Sequence, residues 1–258
     1  MITVKNLSKH FGGIKAVDGV DLHIDRGSIT GLVGPNGAGK TTMFNLIAGL
    51  YQPTEGEIIL DGEDVTELTS HQLFHKGLLR TFQIAHEFPT LSVLENLMMV
   101  PANQLGESLM NTWLKRRQIQ EEEKLLQEKA EEVIDFLSIS HLKNERAGNL
   151  SGGQKKLLEL ARTMMVDAKV VLLDEVGAGV NRTLLKQIGD AILRLNSERG
   201  YTFCMIEHDM DFISRLCNPV VVLAEGQILT TGTPDEIKSS DAVIEAYLGK
   251  GIKTEVAT

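Results

Sequence analysis

Residues 34–41 form the run Gly-Pro-Asn-Gly-Ala-Gly-Lys-Thr, with the spacing Gly-x-x-x-x-Gly-Lys-Thr. An apolar strand pattern, Ile29–Val33, precedes this run, and a helical pattern, Lys40–Gly49, follows it. Glycines let a backbone curl around a phosphate without a Cβ clash, and the following N–H groups point inward at the positive end of the helix. This strand–loop–helix unit predicts an α/β fold with a phosphate-binding loop.

The side chains of the loop suit a nucleoside triphosphate. Lys40 has the reach for the β- and γ-phosphates, the hydroxyl of Thr41 is a ligand for Mg²⁺, and Thr42 adds a second hydroxyl. The predicted nucleotide-binding residues here are Gly34, Pro35, Asn36, Gly37, Ala38, Gly39, Lys40, Thr41 and Thr42.

An acidic pair downstream predicts hydrolysis of the bound nucleotide. The apolar run Val170–Leu173 ends in Asp174 and is followed by Glu175. A strand carries Asp174 to the carboxyl edge of a sheet, where it is expected to hold Mg²⁺ through water. Glu175 is then placed to polarise an attacking water. Together with the phosphate loop, this pair predicts a site that hydrolyses nucleoside triphosphates.

Strand and helix patterns alternate along most of the chain, which is typical of a parallel sheet covered by helices. Between about residues 83 and 149 there is no buried strand pattern, and a long charged helix is predicted over about 111–138. We interpret this stretch as an all-helical insertion. The predicted strands are Val20–Ile24, Ile29–Val33, Glu57–Leu60, Val170–Leu173, Thr202–Ile206, Val220–Leu223 and Gln227–Thr230, and the predicted helices in the α/β part are Lys40–Gly49, Gly153–Met165 and Thr183–Glu198.

The run Leu150–Gln154, Leu-Ser-Gly-Gly-Gln, precedes an apolar-periodic helix pattern, and Ser151 is a plausible cap for it. With the phosphate loop and the acidic pair in this order, the chain resembles an ATP-binding-cassette (ABC) ATPase. The resemblance implies a P-loop NTPase, RecA-like core over about 1–82 and 167–240, a helical subdomain over about 83–166 and a tail over about 241–258. It also implies that ATP held by a second ABC ATPase subunit contacts Ser151, Gly152, Gly153 and Gln154.

The resemblance assigns three further residues. Phe11 stands where the family stacks an aromatic ring on adenine. Gln83 corresponds to the glutamine that senses Mg²⁺ and joins the core to the helical subdomain, and His208 to the switch histidine that contacts the γ-phosphate. Two positions depart from the family pattern, since Val176 replaces the usual Pro and Asn181 stands where many members carry Asp.

Composition excludes several other classes. Lysine and arginine number 26 against 35 acidic residues, and the net charge of −9 argues against a nucleic-acid partner. The longest apolar run has five residues, far short of a membrane span, and the start lacks the pattern of a secretory signal. The two cysteines are expected to be reduced and buried, and His71 and His75 to be surface residues.

The segments Leu7–Gly13, Arg80–Gln83, Leu91–Leu97 and Ala246–Gly249 are similar to the ATPase subunits of branched-chain amino-acid importers and their urea- and amide-handling relatives. This implies Mg²⁺ and ATP as cofactors, separate transmembrane permeases as partners and a place on the cytoplasmic face of the membrane. The segment His86–Leu91 corresponds to the family's groove for a permease helix, although Phe88 and Leu91 have the alternative of packing inside the subdomain. A soluble ABC ATPase of iron–sulfur cluster assembly is the alternative function.

Overall fold

The computed structural model describes residues 1–81, 87–166 and 168–248. The chain divides into two compact units: a core unit of residues 1–80, 169–177 and those from 192 onward, and a helical unit of residues 81–168 and 178–191. The predicted subdomain boundaries near residues 83 and 166 stay a prediction.

The strands fall into two sheets of the core unit, with order β10-β9-β3-β8-β7-β6 in one and β2-β1-β4-β5 in the other. In the first sheet β9, β3, β8, β7 and β6 are parallel, and β10 pairs antiparallel with β9. The strands are β1 (Ile2–Phe11), β2 (Ile14–Ile24), β3 (Ile29–Val33), β4 (Glu55–Leu60), β5 (Glu63–Asp64), β6 (Leu78–Arg80), β7 (Val170–Asp174), β8 (Thr202–Ile206), β9 (Val220–Ala224) and β10 (Gln227–Gly232).

The helices belong to both units, and α7 has its first ten residues in the helical unit and the others in the core unit. Their bounds are α1 (Lys40–Ile47), α2 (Ser70–His75), α3 (Val93–Met98), α4 (Leu109–Leu114), α5 (Arg116–Phe136), α6 (Gly152–Met165), α7 (Arg182–Arg199), α8 (Met210–Leu216), α9 (Pro234–Ser239) and α10 (Asp241–Tyr247). Among the described residues, no helix is both long enough and apolar enough to span a bilayer.

The parallel sheet brings distant parts of the chain to one edge. Every residue of β3, β7, β8 and β9 is buried, which explains why these strands are continuous apolar runs. Because β3, β8 and β7 are parallel neighbours, the residues after them meet at the same carboxyl edge. The phosphate loop, Glu175 and His208 all follow these strands.

The predicted α/β alternation is confirmed, with differences at the ends of elements. The strand predicted from Val20 begins six residues earlier, at Ile14, and the strand β1 was not predicted at all. In β1, Asn6 adopts a positive φ of 46° and the register with β2 shifts between Val4 and Leu7. These irregularities break the alternation on which a sequence prediction depends.

The long charged helix predicted over about 111–138 is present as α5, but it begins later than predicted, because the first predicted residues belong to a separate helix, α4. Lys115 leaves the helical region between them, with φ −123° and ψ 29°. The carboxylate of Glu122 on α5 accepts a hydrogen bond from the backbone N–H of Leu105, at 2.8 Å. This bond ties the segment before α4 to α5, so the chain has to turn between the two helices.

Both cysteines are free and buried, as predicted. Burial raises the pKa of the Cys204 thiol to about 12, and it raises the pKa of Cys217 as well. His71 and His75 are exposed, also as predicted, with their Nε2 atoms 3.3 Å apart. In the described part of the chain, no cluster of three or more histidine, cysteine or acidic residues has the geometry of a metal site.

Candidate nucleotide site

The phosphate loop joins β3 to α1, and two of its glycines have no room for a side chain. A Cβ on Gly34 would lie 2.0 Å from the carbonyl oxygen of Leu223, and one on Gly39 would lie 2.2 Å from that of Ala16. Both residues also have positive φ, 147° and 101°. The loop therefore passes between two other backbone segments at distances that only glycine permits.

Lys40 begins α1 and is buried. Its Nζ donates hydrogen bonds to the carbonyl oxygens of Gly34, at 2.8 Å, and Pro35, at 2.9 Å. Desolvation lowers the pKa of Lys40, while the negative charges of Glu175 and Asp174 oppose this change. The ammonium group is thus held inside the loop, close to both acidic residues.

A cavity of about 440 Å³ opens beside the loop. This volume lies within the usual range of small-molecule sites. It brings together the predicted residues from Asn36 to Thr42 with Glu175 and His208. The complete lining consists of Ile14, Lys15, Ala16, Asn36, Gly37, Ala38, Gly39, Lys40, Thr41, Thr42, Glu175, His208 and Glu225.

Glu175 and His208 are in direct contact at the edge of the sheet. The Nε2 atom of His208 lies 3.1 Å from Oε1 of Glu175. The backbone of Glu175 has a positive φ of 49°, and its N–H donates to the carbonyl oxygen of Ile206 at 3.0 Å. The left-handed backbone turns the chain sharply after β7, and an unusual conformation of this kind is often found at functional sites.

Asp174, at the end of β7, is buried and paired with a cation that the sequence analysis missed. The Nη2 atom of Arg80 lies 2.7 Å from its Oδ2 atom. Arg80 also donates to the side chain of Asn45 on α1. The partnership arises because β6 and β7 are neighbours, with Arg80 opposite Leu172. No local pattern in the sequence pairs these two residues, which lie 94 positions apart.

Glu207 is a second residue that the sequence analysis missed. It is buried, and its Oε1 atom accepts a hydrogen bond of 2.7 Å from the backbone N–H of Gly177. Burial raises the pKa of Glu207, and hydrogen bonds from the Gly177 and His208 backbones partly offset the rise. Its position directly before His208, at the end of a buried strand, was the available signal.

Phe11 does not line the cavity. The Phe11 ring is exposed and packs edge-on against Tyr51, with 5.5 Å between ring centroids. The cavity lining includes Ile14, the strand partner of Phe11, but not Phe11 itself. Gln83 lies outside the described residues.

The predicted residues 151–154 lie in the helical unit and begin α6. Ser151 accepts a hydrogen bond from the N–H of Gln154, at 3.4 Å, and its own N–H donates to Oε1 of Gln154, at 2.9 Å. This reciprocal pair is a capping box, so the local expectation of a helix cap is confirmed. Ser151 and Gly152 are exposed, whereas Gly153 packs tightly against Leu184.

Of the two departures from the family pattern, Asn181 has a local explanation. Val176 is buried, and nothing in the structure explains valine at this position. The Oδ1 atom of Asn181 accepts a hydrogen bond of 3.0 Å from the N–H of Leu184, three residues on. Asparagine caps a helix as well as aspartate does, so it begins α7 without the charge.

A comparison with known families decides what kind of protein has this geometry. Residues 17–178 match the family described as ABC transporter. The chain belongs to the ABC transporter family. As a cassette of this family it binds ATP and is an ATPase, with the P-loop core and helical part that the sequence predicted. Residues 227–253 match a second family, described as branched-chain amino acid ATP-binding cassette transporter.

Known relatives indicate which ABC transporter subunits the chain is similar to. It is 38% identical, over 96% of its length and 95% of the relative's, to the "Probable branched-chain amino acid transport ATP-binding protein LivG" of Archaeoglobus fulgidus. It is 35% identical to an ABC transporter cassette solved in its ADP conformation, with a TM-score of 0.82 over 96% of this chain and 98% of that one. A dimeric bacterial ABC transporter cassette is 25% identical, with a TM-score of 0.73 over 91% of this chain and 99% of that one. These relatives do not support the iron–sulfur alternative.

Proposed function

We propose that this cassette hydrolyses MgATP at the cavity beside residues 34–42 to drive import of branched-chain amino acids through separate permease subunits. The observation that carries the catalytic part is the Glu175–His208 contact of 3.1 Å, in the same cavity as Lys40. The substrate class rests on the relatives' names, which favour branched-chain amino acids over urea or amides. As the ATP-binding subunit of an importer, it is expected to work on the cytoplasmic face of the membrane.

Binding is expected to centre on Lys40 and the loop amides. In the free protein the Lys40 ammonium satisfies the Gly34 and Pro35 carbonyls. A phosphate oxygen bound beside α1 gives that ammonium a charged acceptor, and a charge-assisted bond is stronger than a bond to a neutral carbonyl. The backbone N–H groups at the start of α1 add further donors.

The donor set of the site suits Mg²⁺. Magnesium prefers oxygen ligands and is commonly held by one or two protein groups together with substrate phosphates. Thr41 and Asp174 offer a hydroxyl and a carboxylate, and Gln83 is a further candidate from the sequence. Asp174 has the chemistry to bind the ion through water while Arg80 holds its carboxylate in place. The ion would neutralise charge on the phosphates.

Glu175 is the proposed general base. A carboxylate beside the γ-phosphate orients a water and takes its proton as the water attacks. The His208 contact holds one oxygen of the Glu175 carboxylate in place at the edge of the cavity. His208 is exposed, and it has the additional proposed role of contacting the γ-phosphate.

The decisive experiment is Glu175→Gln. The amide keeps the shape and the His208 contact but removes the base, so ATP hydrolysis should fall roughly 10²–10⁴-fold while ATP still binds. Glu225→Gln is the matched control, because Glu225 lines the same cavity and has no proposed role. Phosphate release and ATP affinity should both be measured. Hydrolysis by Glu175→Gln at the parental rate would show that another group activates the water.

Phe88 supports a permease contact in the helical unit. Its side chain is 45% exposed. Its backbone is fixed by the buried Asn96, which accepts from the Phe88 N–H at 2.8 Å and donates to its carbonyl at 3.1 Å. Phe88 is therefore partly exposed while its backbone is held in place by hydrogen bonds. An exposed aromatic residue of this kind is a candidate anchor for a protein partner.

Phe88→Asp should uncouple transport in vesicles that contain the permeases, while basal ATPase activity and thermal stability stay near normal. Met99→Asp is the control, because Met99 is another exposed apolar side chain of the same unit. A large loss of stability in Phe88→Asp, or full coupling, would contradict a permease contact at Phe88.

A further inference from the structure

Helix α4 presents its apolar side chains to solvent. Leu109 and Trp113 are 88% and 91% exposed, and Met110 and Leu114 are 73% and 77% exposed. At 100° per residue these four side chains fall within an arc of about 140°. The polar Asn111, on the opposite side, is the least exposed residue of the helix. A surface helix ordinarily has the reverse arrangement. We call these four residues the α4 face.

Local contacts hold the α4 face outward. The turn Leu105–Glu107, just before α4, is tied to α5 by the Glu122 carboxylate, and Gly106 lies against Ile119. The Thr112 hydroxyl donates to the carbonyl oxygen of Ser108, at 3.0 Å. The polar side of α4 is thus engaged with its own neighbourhood, which leaves the apolar side for another partner.

Three cations follow the α4 face directly. Lys115, Arg116 and Arg117 are all exposed. Arg117 forms an exposed ion pair with Glu121 on α5, at 3.1 Å, whereas Lys115 and Arg116 form no ion pair among the described residues. The three cations are consecutive in a chain with a net charge of −9, and they lie between the α4 face and the acidic run Glu121–Glu123.

We propose that the α4 face and these cations insert into a membrane surface that carries anionic headgroups. Leucine, methionine and tryptophan fit the boundary between headgroups and acyl chains, and adjacent Lys and Arg attract the anionic headgroups. A second copy of the chain fits less well, because a six-residue helix offers less area than a stable dimer needs and brings like charges near each other. The permease contact proposed at Phe88 is a separate surface.

The single tryptophan of the chain makes this proposal directly measurable. Because Trp113 is the only tryptophan, tryptophan fluorescence excited selectively over the tyrosines reports on the α4 face alone. We expect a blue shift and protection from acrylamide when the full-length protein meets vesicles of phosphatidylcholine and phosphatidylglycerol. Vesicles of phosphatidylcholine alone should bind more weakly. Lys115→Gln and Arg116→Gln should each weaken binding to the anionic vesicles about fivefold.

A matched pair of leucine variants shows whether vesicle binding depends on the α4 face or on any exposed leucine. Leu109→Ser should weaken vesicle binding about tenfold. Leu125→Ser, on α5 and 66% exposed, should leave binding unchanged. An unshifted spectrum with every vesicle, or equal losses in both variants, would overturn the proposal. A shift that follows protein concentration without lipid would assign the face to a second copy instead. Vesicle binding needs no ATP hydrolysis, so its failure leaves the proposed ATPase function intact.

Discussion

Lys40 is buried, and its protonation depends on desolvation and on the charges of neighbouring groups. Desolvation lowers its pKa in the free protein, and a bound phosphate, by adding negative charge, is expected to raise the pKa again. The sign of the effect on binding follows. Below the lowered pKa, Lys40 is charged in both states, so its titration makes the affinity for ATP neither rise nor fall with pH. As the pH rises through that pKa, binding must take up a proton, so the affinity falls.

We therefore expect ATP affinity to decline by at most about tenfold per pH unit between the pKa of Lys40 in the free protein and its higher pKa in the complex. Titration calorimetry in buffers of different ionisation enthalpy should detect the proton uptake. Lys40→Ala should lose this dependence and bind ATP about 10–150-fold more weakly, because it removes a charged contact of about 1.5–3 kcal/mol. Lys124→Ala, fully outside the cavity lining, is the control. Equal pH profiles in the parent and Lys40→Ala would rule out Lys40 as the source.

Among the elements of the fold, the phosphate loop lies unusually close to another backbone segment. Gly34 and Gly37 both have positive φ, but only Gly34 has another backbone where a Cβ would go. A left-handed backbone alone costs an L-residue about 1–2 kcal/mol.

Gly37→Ala should therefore lower the free energy of unfolding by about 1–2 kcal/mol. Gly34→Ala should lower it by about 3 kcal/mol or more, because the loop must also move away from Leu223. Denaturant unfolding of both variants measures the difference. Equal destabilisation would mean that the loop relaxes freely, contrary to the packing seen here.

Local sequence patterns were enough to predict the buried strands and the phosphate loop, because a few consecutive residues determine each of them. The continuous apolar run of β7 and the spacing from Gly34 to Thr41 are examples. The Arg80–Asp174 ion pair joins residues 94 positions apart, and no local pattern predicts it. The break at Lys115 was missed as well, and it accompanies another non-local contact, the hydrogen bond from the N–H of Leu105 to Glu122, 17 positions away.

At the scale of the whole molecule, the proposed working unit is a pair of cassettes that enclose two ATP molecules. A dimeric cassette among the structural relatives supports the pairing. In this arrangement Ser151 of one subunit faces the γ-phosphate bound by the other. Ser151 also caps α6, so a simple deletion of its hydroxyl would confuse a loss of stability with a loss of pairing.

Ser151→Asp separates these two roles. Aspartate caps a helix as well as serine does, but it places a negative charge towards the partner's phosphate. In a Glu175→Gln background, ATP-dependent dimerisation should weaken at least about a hundredfold while thermal stability is kept. Ser92→Asp, at the capping box of α3, is the control and should dimerise normally. Light scattering with and without ATP measures the outcome. A persistent Ser151→Asp dimer would place Ser151 away from the subunit interface.

The left-handed backbone at Glu175 lowers the stability of the fold, but the proposed activity needs the glutamate side chain at this position. Glycine would relieve about 1 kcal/mol of strain at this position while removing the carboxylate. A library of variants sorted for heat resistance alone would therefore tend to accept glycine at position 175 and enrich folded but inactive proteins. Thermostabilisation of this cassette needs an activity screen beside every melting curve.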